Sequence, residues 1–198
     1  MNKVILVGGI YGSGKTTIGE ALEREGRVID YDNIIGDVKG NGVLKTPESM
    51  EPIRQQAWGY LFLNALVNSV RMGNPVTVGI ATFTTRERRD RYFDTLSKEA
   101  EVTGIYYMLP MKETIDRIRR DRTKGEKLVN GDTVLDFYRT HNRTFIKQDH
   151  SDLKIPDTLP AEYRSLLRMS GYLPGVQRWT VVTQPLTLTD FNNVKASS

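Results

Sequence analysis

Short runs of apolar residues alternate along the chain with longer segments in which apolar residues recur every three or four positions. The short runs predict buried strands, at 4–8, 27–32, 76–81, 102–109 and 179–183. The amphipathic segments predict helices, at 16–24, 52–72, 86–100, 111–122 and 134–147. Gly73, Asn74 and Pro75 are expected to end the helix at 52–72. This alternation indicates an α/β fold, with a parallel sheet flanked by helices in three layers.

Two segments interrupt the alternation. Residues 34–52 are rich in Gly, Asn, Lys and Pro and predict an irregular connection. Prolines punctuate the tail from residue 149 onwards, where a short helix is expected at 162–169. At about 100–200 residues per domain, the 198 residues predict a single domain, with 149–198 as a C-terminal extension packed on it.

One segment carries a complete chemical signature. Residues 9–16, Gly-Ile-Tyr-Gly-Ser-Gly-Lys-Thr, match G-x-x-x-x-G-K-[ST] between an apolar strand and a helix. The glycines let backbone N–H groups wrap a phosphate, the lysine adds charge for the β- and γ-phosphates, and the threonine hydroxyl suits Mg²⁺. The motif therefore predicts binding of ATP and Mg²⁺, rather than a chance glycine-rich turn. The expected nucleotide-binding residues are Gly9, Gly12, Ser13, Gly14, Lys15, Thr16 and Thr17, with Thr16 also a metal ligand.

Two carboxylates end the second predicted strand. Asp30 and Asp32 are expected to share one face of that strand, near the edge of the sheet where open α/β sheets bind ligands. A carboxylate there can take the proton of an attacking hydroxyl, so Asp32 is the favoured general base and Asp30 a candidate metal ligand. Alternatively, these acids cap the following turn or helix. The strand at 76–81 ends without the acid that ATPase motors usually carry there. The sequence also lacks the N-K-x-D stretch with which switch GTPases read the base.

The helix predicted at 111–122 is strongly basic. Its cations, with one that follows it, are Arg117, Arg119, Arg120, Arg122 and Lys124. Kinases use such arginines to neutralise charge on the transferred phosphoryl group, and Arg117 and Arg120 share a helix face. The alternative is a solvated face, because acids alternate with the cations along the helix.

Together these segments resemble the polynucleotide-kinase-like branch of the P-loop kinases, over roughly residues 3–145. The resemblance rests on four segments, at 9–16, 30–33, 85–89 and 120–125. It implies that Asp32 is the general base for a DNA hydroxyl. It also implies that Arg120 contacts the transferred phosphate as a lid arginine and that Lys124 is a further basic contact. The expected catalytic residues are therefore Lys15, Asp32 and Arg120.

Two departures from this family concern the acceptor side. Ile35 stands where the family has an arginine, and Ala81 stands where it has an aspartate. A kinase with a changed acceptor site is similar to the phage 5-hydroxymethyluracil DNA kinases, which implies a role in DNA modification. A target base would have to leave the duplex and could stack on an aromatic ring. The candidate rings, most of which are expected in the core, are Trp58, Tyr60, Phe83, Tyr163, Tyr172 and Trp179.

Three functions remain open at this stage. The favoured one is a kinase acting on DNA, at a modified base or at a 5′-hydroxyl. A kinase of a free nucleoside or nucleotide would use the same loop, base and arginine. A nucleotide-binding module without catalysis is the third, in which Asp32 and the arginines are structural.

The composition narrows the picture only a little. The absence of cysteine excludes disulfides and a cysteine nucleophile, and two histidines make a histidine-rich metal site improbable. The net charge of +4 permits an anionic partner such as DNA. No apolar run approaches the ~18 residues of a transmembrane helix, and we expect no membrane partner and a cytoplasmic location, in the host cell if the protein is viral. The sequence indicates no particular oligomeric state.

Overall fold

A computed structural model of the chain describes residues 1–10, 12–24, 26–40, 51–123, 149–161, 163–164 and 177–184. Within them the strands are β1 (Lys3–Gly9), β2 (Arg27–Asp30), β3 (Val76–Ile80), β4 (Glu101–Tyr107), β5 (Leu153–Lys154) and β6 (Trp179–Val182). The helices are α1 (Lys15–Leu22), α2 (Tyr31–Gly40), α3 (Glu51–Arg71), α4 (Arg86–Leu96) and α5 (Met111–Thr123). The strands form one parallel six-stranded sheet in the order β2-β3-β1-β4-β6-β5. The predicted α/β fold is confirmed.

The central strand β1 is buried on both faces. Its apolar run predicts this position, because parallel strands covered by helices on both sides read as continuous apolar runs. Ile5 and Val7 belong to the cluster that contains the apolar side chains of α1. Val4 and Leu6 point the other way and belong to the cluster built with α3 and α4. The two clusters give the molecule its three layers.

The end of α3 follows the predicted signal. Gly73 has φ +82°, a left-handed conformation that glycine adopts without steric cost. Its N–H binds the carbonyl of Val70 at 3.0 Å, and the Asn74 N–H binds the carbonyl of Ser69 at 3.3 Å. This pair of bonds is the Schellman motif that commonly closes a helix. The next element, β3, then begins at Val76.

The segment after β2 differs from the prediction. The strand ends at Asp30 rather than at residue 32, and α2 occupies part of the segment predicted to be irregular. The cause is a side-chain cap, since Asp30 Oδ1 accepts the N–H of Asp32 at 2.8 Å. An aspartate in this position satisfies a free N–H of the first helical turn. Residues 41–50 of the predicted connection lie outside the described residues.

The C-terminal part contributes strands to the sheet. The strand predicted from the apolar run at 179–183 is present as β6, which ends at Val182 and pairs with β4. The short β5, which pairs with β6, was not predicted because two residues carry too little pattern. The predicted helix at 134–147 and most of that at 162–169 lie outside the described residues. No helix in the described part of the chain is long and apolar enough to cross a membrane.

Candidate active site

The glycine-rich loop lies at the carboxyl end of the central strand, between β1 and α1. Gly12 and Gly14 have φ of +77° and +83°, which L side chains rarely adopt. A Cβ on Gly12 would lie 2.6 Å from Ile118 Cγ1, and one on Gly14 would lie 2.5 Å from Arg117 Nη1. Both glycines are therefore required by the backbone conformation, and also by the close approach of α5, which the motif did not predict.

The donors of this loop fit a phosphate group. Ser13 is only 2% exposed, and its Oγ has no hydrogen-bond partner within the part of the chain that the structure describes. The Lys15 Nζ donates to the carbonyl of Ile10 at 3.0 Å, so the ammonium folds back over the loop. Thr16 is the second residue of α1, and Thr17 is exposed on its next position. An anion seated here would meet the Ser13 hydroxyl, an ammonium and a helix N-terminus.

The charges of Asp30 and Asp32, the two acids singled out in the sequence, both act on Lys15. Burial lowers the pKa of its ammonium from 10.5 to about 8, against the opposing effect of Asp32 and Asp30. The same burial raises the pKa of Asp30, and the repulsion of Asp32 adds to this rise. The N–H of Asp32 and the charge of Lys15 act in the opposite direction on Asp30. The structure therefore brings the loop cation and the two acids into one electrostatic group.

The two acids are placed differently from the prediction. They were expected to share one face of a strand, but Asp30 ends β2 and Asp32 lies in the first turn of α2. Asp30 is half-buried and caps the helix, whereas the Asp32 side chain is exposed and available to a substrate. No group of three or more His, Cys, Asp or Glu residues that could hold a metal ion occurs among the described residues. The metal role of Asp30 and Thr16 stays a prediction.

Helix α5 covers the loop through one of its arginines. The Arg117 side chain is 25% exposed, contacts the Gly14 position and pairs with Glu113 at 2.9 Å. Arg120 is exposed one turn further along the helix, and Lys124 lies outside the described residues. Arg119 is exposed and pairs with Asp116, as the solvated-face interpretation expected. Sequence reasoning favoured Arg120, and the i, i+3 spacing to Arg117 was the available signal for the arginine that contacts the loop.

The two positions that the resemblance assigns to the acceptor side carry apolar side chains. Ile35 is half-buried in α2, and Ala81 is buried directly after β3. Four of the candidate stacking rings are buried in the core, namely Trp58, Phe83, Tyr163 and Trp179. Tyr172 lies outside the described residues, and Tyr60 is 48% exposed. Tyr60 is therefore the one candidate ring that the described structure leaves accessible to a ligand.

Comparison with known proteins places the chain in a family. Residues 4–143 match the family model described as an AAA domain, which covers the loop, both acids and α5. None of the curated proteins matches the sequence.

Solved structures share the fold at low sequence identity. A gluconokinase from Sinorhizobium meliloti 1021 superposes with a TM-score of 0.53 and 14% identity, covering 98% of this chain and 90% of that chain. A shikimate kinase from Bacteroides thetaiotaomicron gives 0.52 and 15%, covering 98% and 94%. The Pnkp1/Rnl/Hen1 RNA repair complex gives 0.52 and 16%, covering 75% of this chain and 46% of that chain. These likenesses establish a P-loop kinase-like fold.

Proposed function

The chain belongs to the AAA domain family whose model spans its phosphate loop, and from this premise we propose that it is an ATP-dependent kinase. It transfers the γ-phosphate of ATP to an acceptor hydroxyl. The observation that carries the proposal is that the charges of Asp32 and Asp30 both act on the Lys15 ammonium of the loop. The donor-side cation follows β1 and the candidate base follows β2, at the same edge of one parallel sheet, where one reaction can use both.

The transfer requires one proton acceptor and one phosphate acceptor. Asp32 takes the proton of the acceptor hydroxyl, and the hydroxyl oxygen forms a bond to the γ-phosphorus. The bond between that phosphorus and the oxygen bridging to the β-phosphate breaks, which leaves ADP. Lys15 stabilises the charge on the β- and γ-phosphates, and Arg120 and Lys124 are the proposed contacts to the transferred group.

The metal belongs to the donor side of this site. Mg²⁺, when bound, neutralises charge on the β- and γ-phosphates. The Thr16 hydroxyl and the Asp30 carboxylate are its proposed ligands, because both are hard oxygen donors of the kind that Mg²⁺ prefers. The charge of Asp30 acts on Lys15, which supports a position of Asp30 beside the phosphates.

The favoured acceptor is a hydroxyl on DNA, and in particular the hydroxymethyl group of 5-hydroxymethyluracil in phage DNA. The apolar Ile35 and Ala81 support a planar base at this site better than a terminal sugar phosphate. A 5′-hydroxyl end is the alternative on DNA. A kinase of small molecules is the second candidate, and the gluconokinase and shikimate kinase folds support it.

Phosphate transfer from γ-labelled ATP tests these acceptors directly. The panel contains a 5′-blocked oligonucleotide with 5-hydroxymethyluracil, an unmodified oligonucleotide with a free 5′-hydroxyl, and free nucleosides. We expect the modified oligonucleotide to be labelled fastest, and the Lys15→Ala variant to label nothing, which controls for contaminating kinases. Labelling of the unmodified end alone identifies a 5′-kinase, and labelling of nucleosides alone identifies a small-molecule kinase. Absence of transfer to every acceptor contradicts the proposed function.

A further inference from the structure

A groove of about 300 Å³ opens between the middle of α3 and the start of α4. Its size falls at the lower limit of ordinary ligand pockets, which begin at about 300 Å³. The side chains that line it include Gln56, Tyr60, Thr85, Arg88, Arg91 and Tyr92. These residues are mostly polar or charged, so the groove suits a polar occupant better than an apolar one.

The charges in the groove do not balance. Arg91 is neutralised by Glu87 at 2.8 Å, and its guanidinium lies 5.5 Å from the centre of the Tyr60 ring. Arg88 is half-buried, and no described residue forms an ion pair or a side-chain hydrogen bond with its guanidinium. A partly desolvated cation without a counter-charge is costly. The groove therefore presents one cation that no described acid neutralises.

Tyr31, the neighbour of Asp32 in the chain, links the groove to the candidate base. Burial raises the pKa of the Tyr31 phenol, the Arg88 charge opposes this rise, and the Asp32 charge adds to it. Arg88 and Asp32 thus both act on the side chain of Tyr31. That ring packs edge-on against Phe62 at 5.6 Å, and Phe62 packs against Tyr92 in the groove wall at 5.7 Å. Two ring contacts thus connect the groove wall to the residue next to the candidate base.

The topology separates this groove from the nucleotide side of the loop. In the sheet order β2-β3-β1-β4, helices α2 and α4 follow the strands on one side of β1. Helix α5 follows β4 on the other side, where Arg117 contacts the loop. Helices α4 and α5 therefore follow strands on opposite sides of β1, and the Arg88 groove lies on the α4 side.

We propose that this groove binds a phosphate of the acceptor, with Arg88 as the recognising cation and the exposed ring of Tyr60 as a surface for the adjoining planar group. The inference rests on the proposed kinase function and names its substrate class, a phosphate-bearing nucleotide, either free or within a DNA strand. The planar guanidinium suits a phosphate because it donates two parallel hydrogen bonds. The aromatic ring suits a nucleobase because stacking is independent of base identity.

Binding measurements on the purified protein test this assignment. The probes are 5-hydroxymethyl-2′-deoxyuridine, its 5′-monophosphate, and a twelve-nucleotide thymidine oligonucleotide with one 5-hydroxymethyluracil. We expect Arg88→Gln to weaken binding of at least one phosphate-bearing probe by about tenfold or more, and to leave the nucleoside unchanged. Arg88→Lys should recover part of the loss, and Arg71→Gln, an equal change of charge on an exposed arginine, should have no effect. Loss with the monophosphate marks a free nucleotide, and loss with the oligonucleotide alone marks DNA.

The same samples separate this inference from the proposed function. Binding of a non-hydrolysable ATP analogue should be equal in wild type and Arg88→Gln, which also confirms that the variant is folded. Failure of the wild type to bind the analogue overturns the kinase proposal. If the analogue binds normally, equal affinity of wild type and Arg88→Gln for both phosphate-bearing probes overturns the role of Arg88. Failure of the wild type to bind either probe does the same.

Discussion

The Lys15 ammonium loses its proton within the pH range of ordinary assays. Its pKa of about 8 in the free protein is set by burial, against the opposing charges of Asp32 and Asp30. Bound phosphates favour the charged form. Affinity for an ATP analogue should therefore be constant below pH 8 and should fall by up to about tenfold per pH unit above it. Titration of the dissociation constant from pH 7 to 10 measures this effect.

The control for this prediction is Lys15→Arg, whose side chain keeps its charge throughout the range. Its affinity for the analogue should not change with pH. The same pKa shift predicts that the nucleotide-free wild type gains stability between about pH 8 and 10.5, because the unfolded chain then binds more protons than the folded one. A wild-type affinity that stays constant to pH 10 would contradict the perturbed lysine.

The second prediction at the residue scale concerns the two acids. Asp32→Asn keeps the size of the side chain but removes the proton acceptor, so kcat should fall by about 10²–10⁴ with little change in ATP affinity. Asp30→Asn retains an acceptor for the helix cap, so α2 should stay intact in this matched variant. Single-turnover rates with a saturating acceptor compare them. A severe defect in Asp30→Asn with a normal rate in Asp32→Asn would transfer the role of base to Asp30.

At the scale of elements, α5 presents its arginines to different surroundings. Arg117 lies on the phosphate loop, Arg120 is exposed on the same face, and Arg119 is paired with Asp116. Arg117→Ala should weaken binding of an ATP analogue by about tenfold or more, since a charge-assisted hydrogen bond contributes about 1.5–3 kcal/mol. Arg120→Ala should lower kcat more than it raises KM, because its contact strengthens as charge develops. Arg119→Ala serves as the control, and equal small effects in all three variants would favour a solvated face.

The element boundaries show where sequence patterns are reliable. The end of α3 was predicted, because the glycine conformation that closes it depends on residues adjacent in the chain. Helix α2 was not predicted, because residues 27–32 were assigned to a strand and 34–52 to an irregular connection. Asp30 has the residue type of a strand-end catalyst and also that of a helix cap, and the pattern alone does not choose between them. The choice depends on whether Tyr31 and Ile34 pack against the core, which they do.

At the scale of the whole molecule, a buried ion pair joins distant segments. Arg89 and Asp152, whose side chains are 0% and 1% exposed, form two hydrogen bonds of 2.6 Å each. Arg89 also donates to the carbonyls of Phe83, Thr84 and Asp149. The turn from β3 to α4, which contains Phe83 at φ +46°, is thereby held against the segment that follows residue 148. The same turn precedes Arg88 and its groove. Because the C-terminal part thereby fixes an element of the site, we propose that 149–198 is part of the same kinase domain.

Removal of one member of this pair should be strongly destabilising. Arg89→Met leaves the Asp152 carboxylate buried without a partner and should lower the free energy of unfolding by about 3–5 kcal/mol. The double variant Arg89→Met with Asp152→Leu removes the stranded charge and should recover part of that loss. Urea unfolding followed by circular dichroism measures both. A double variant no more stable than Arg89→Met would show that the carbonyl contacts, rather than the ion pair, carry the stability.

The sequence by itself determined the order of most elements, the parallel sheet and the phosphate loop. These features depend on local patterns: apolar runs for buried strands, and eight contiguous residues that give one backbone its shape. The same contiguity made Lys15 and its neighbours predictable, because the loop carries its own donors.

Only the tertiary structure decided which charges meet. Arg117 contacts the Gly14 position although more than a hundred residues separate them in the chain, and Arg89 pairs with Asp152 across 63 positions. The charges of Arg88 and Asp32 both act on the Tyr31 phenol. None of these contacts leaves a periodic trace in the chain, since a cation on a helix reads alike whether it faces solvent, a phosphate loop or a buried carboxylate. The energy of a charge depends on its burial and on its nearest opposite charge, and both are set by packing between elements.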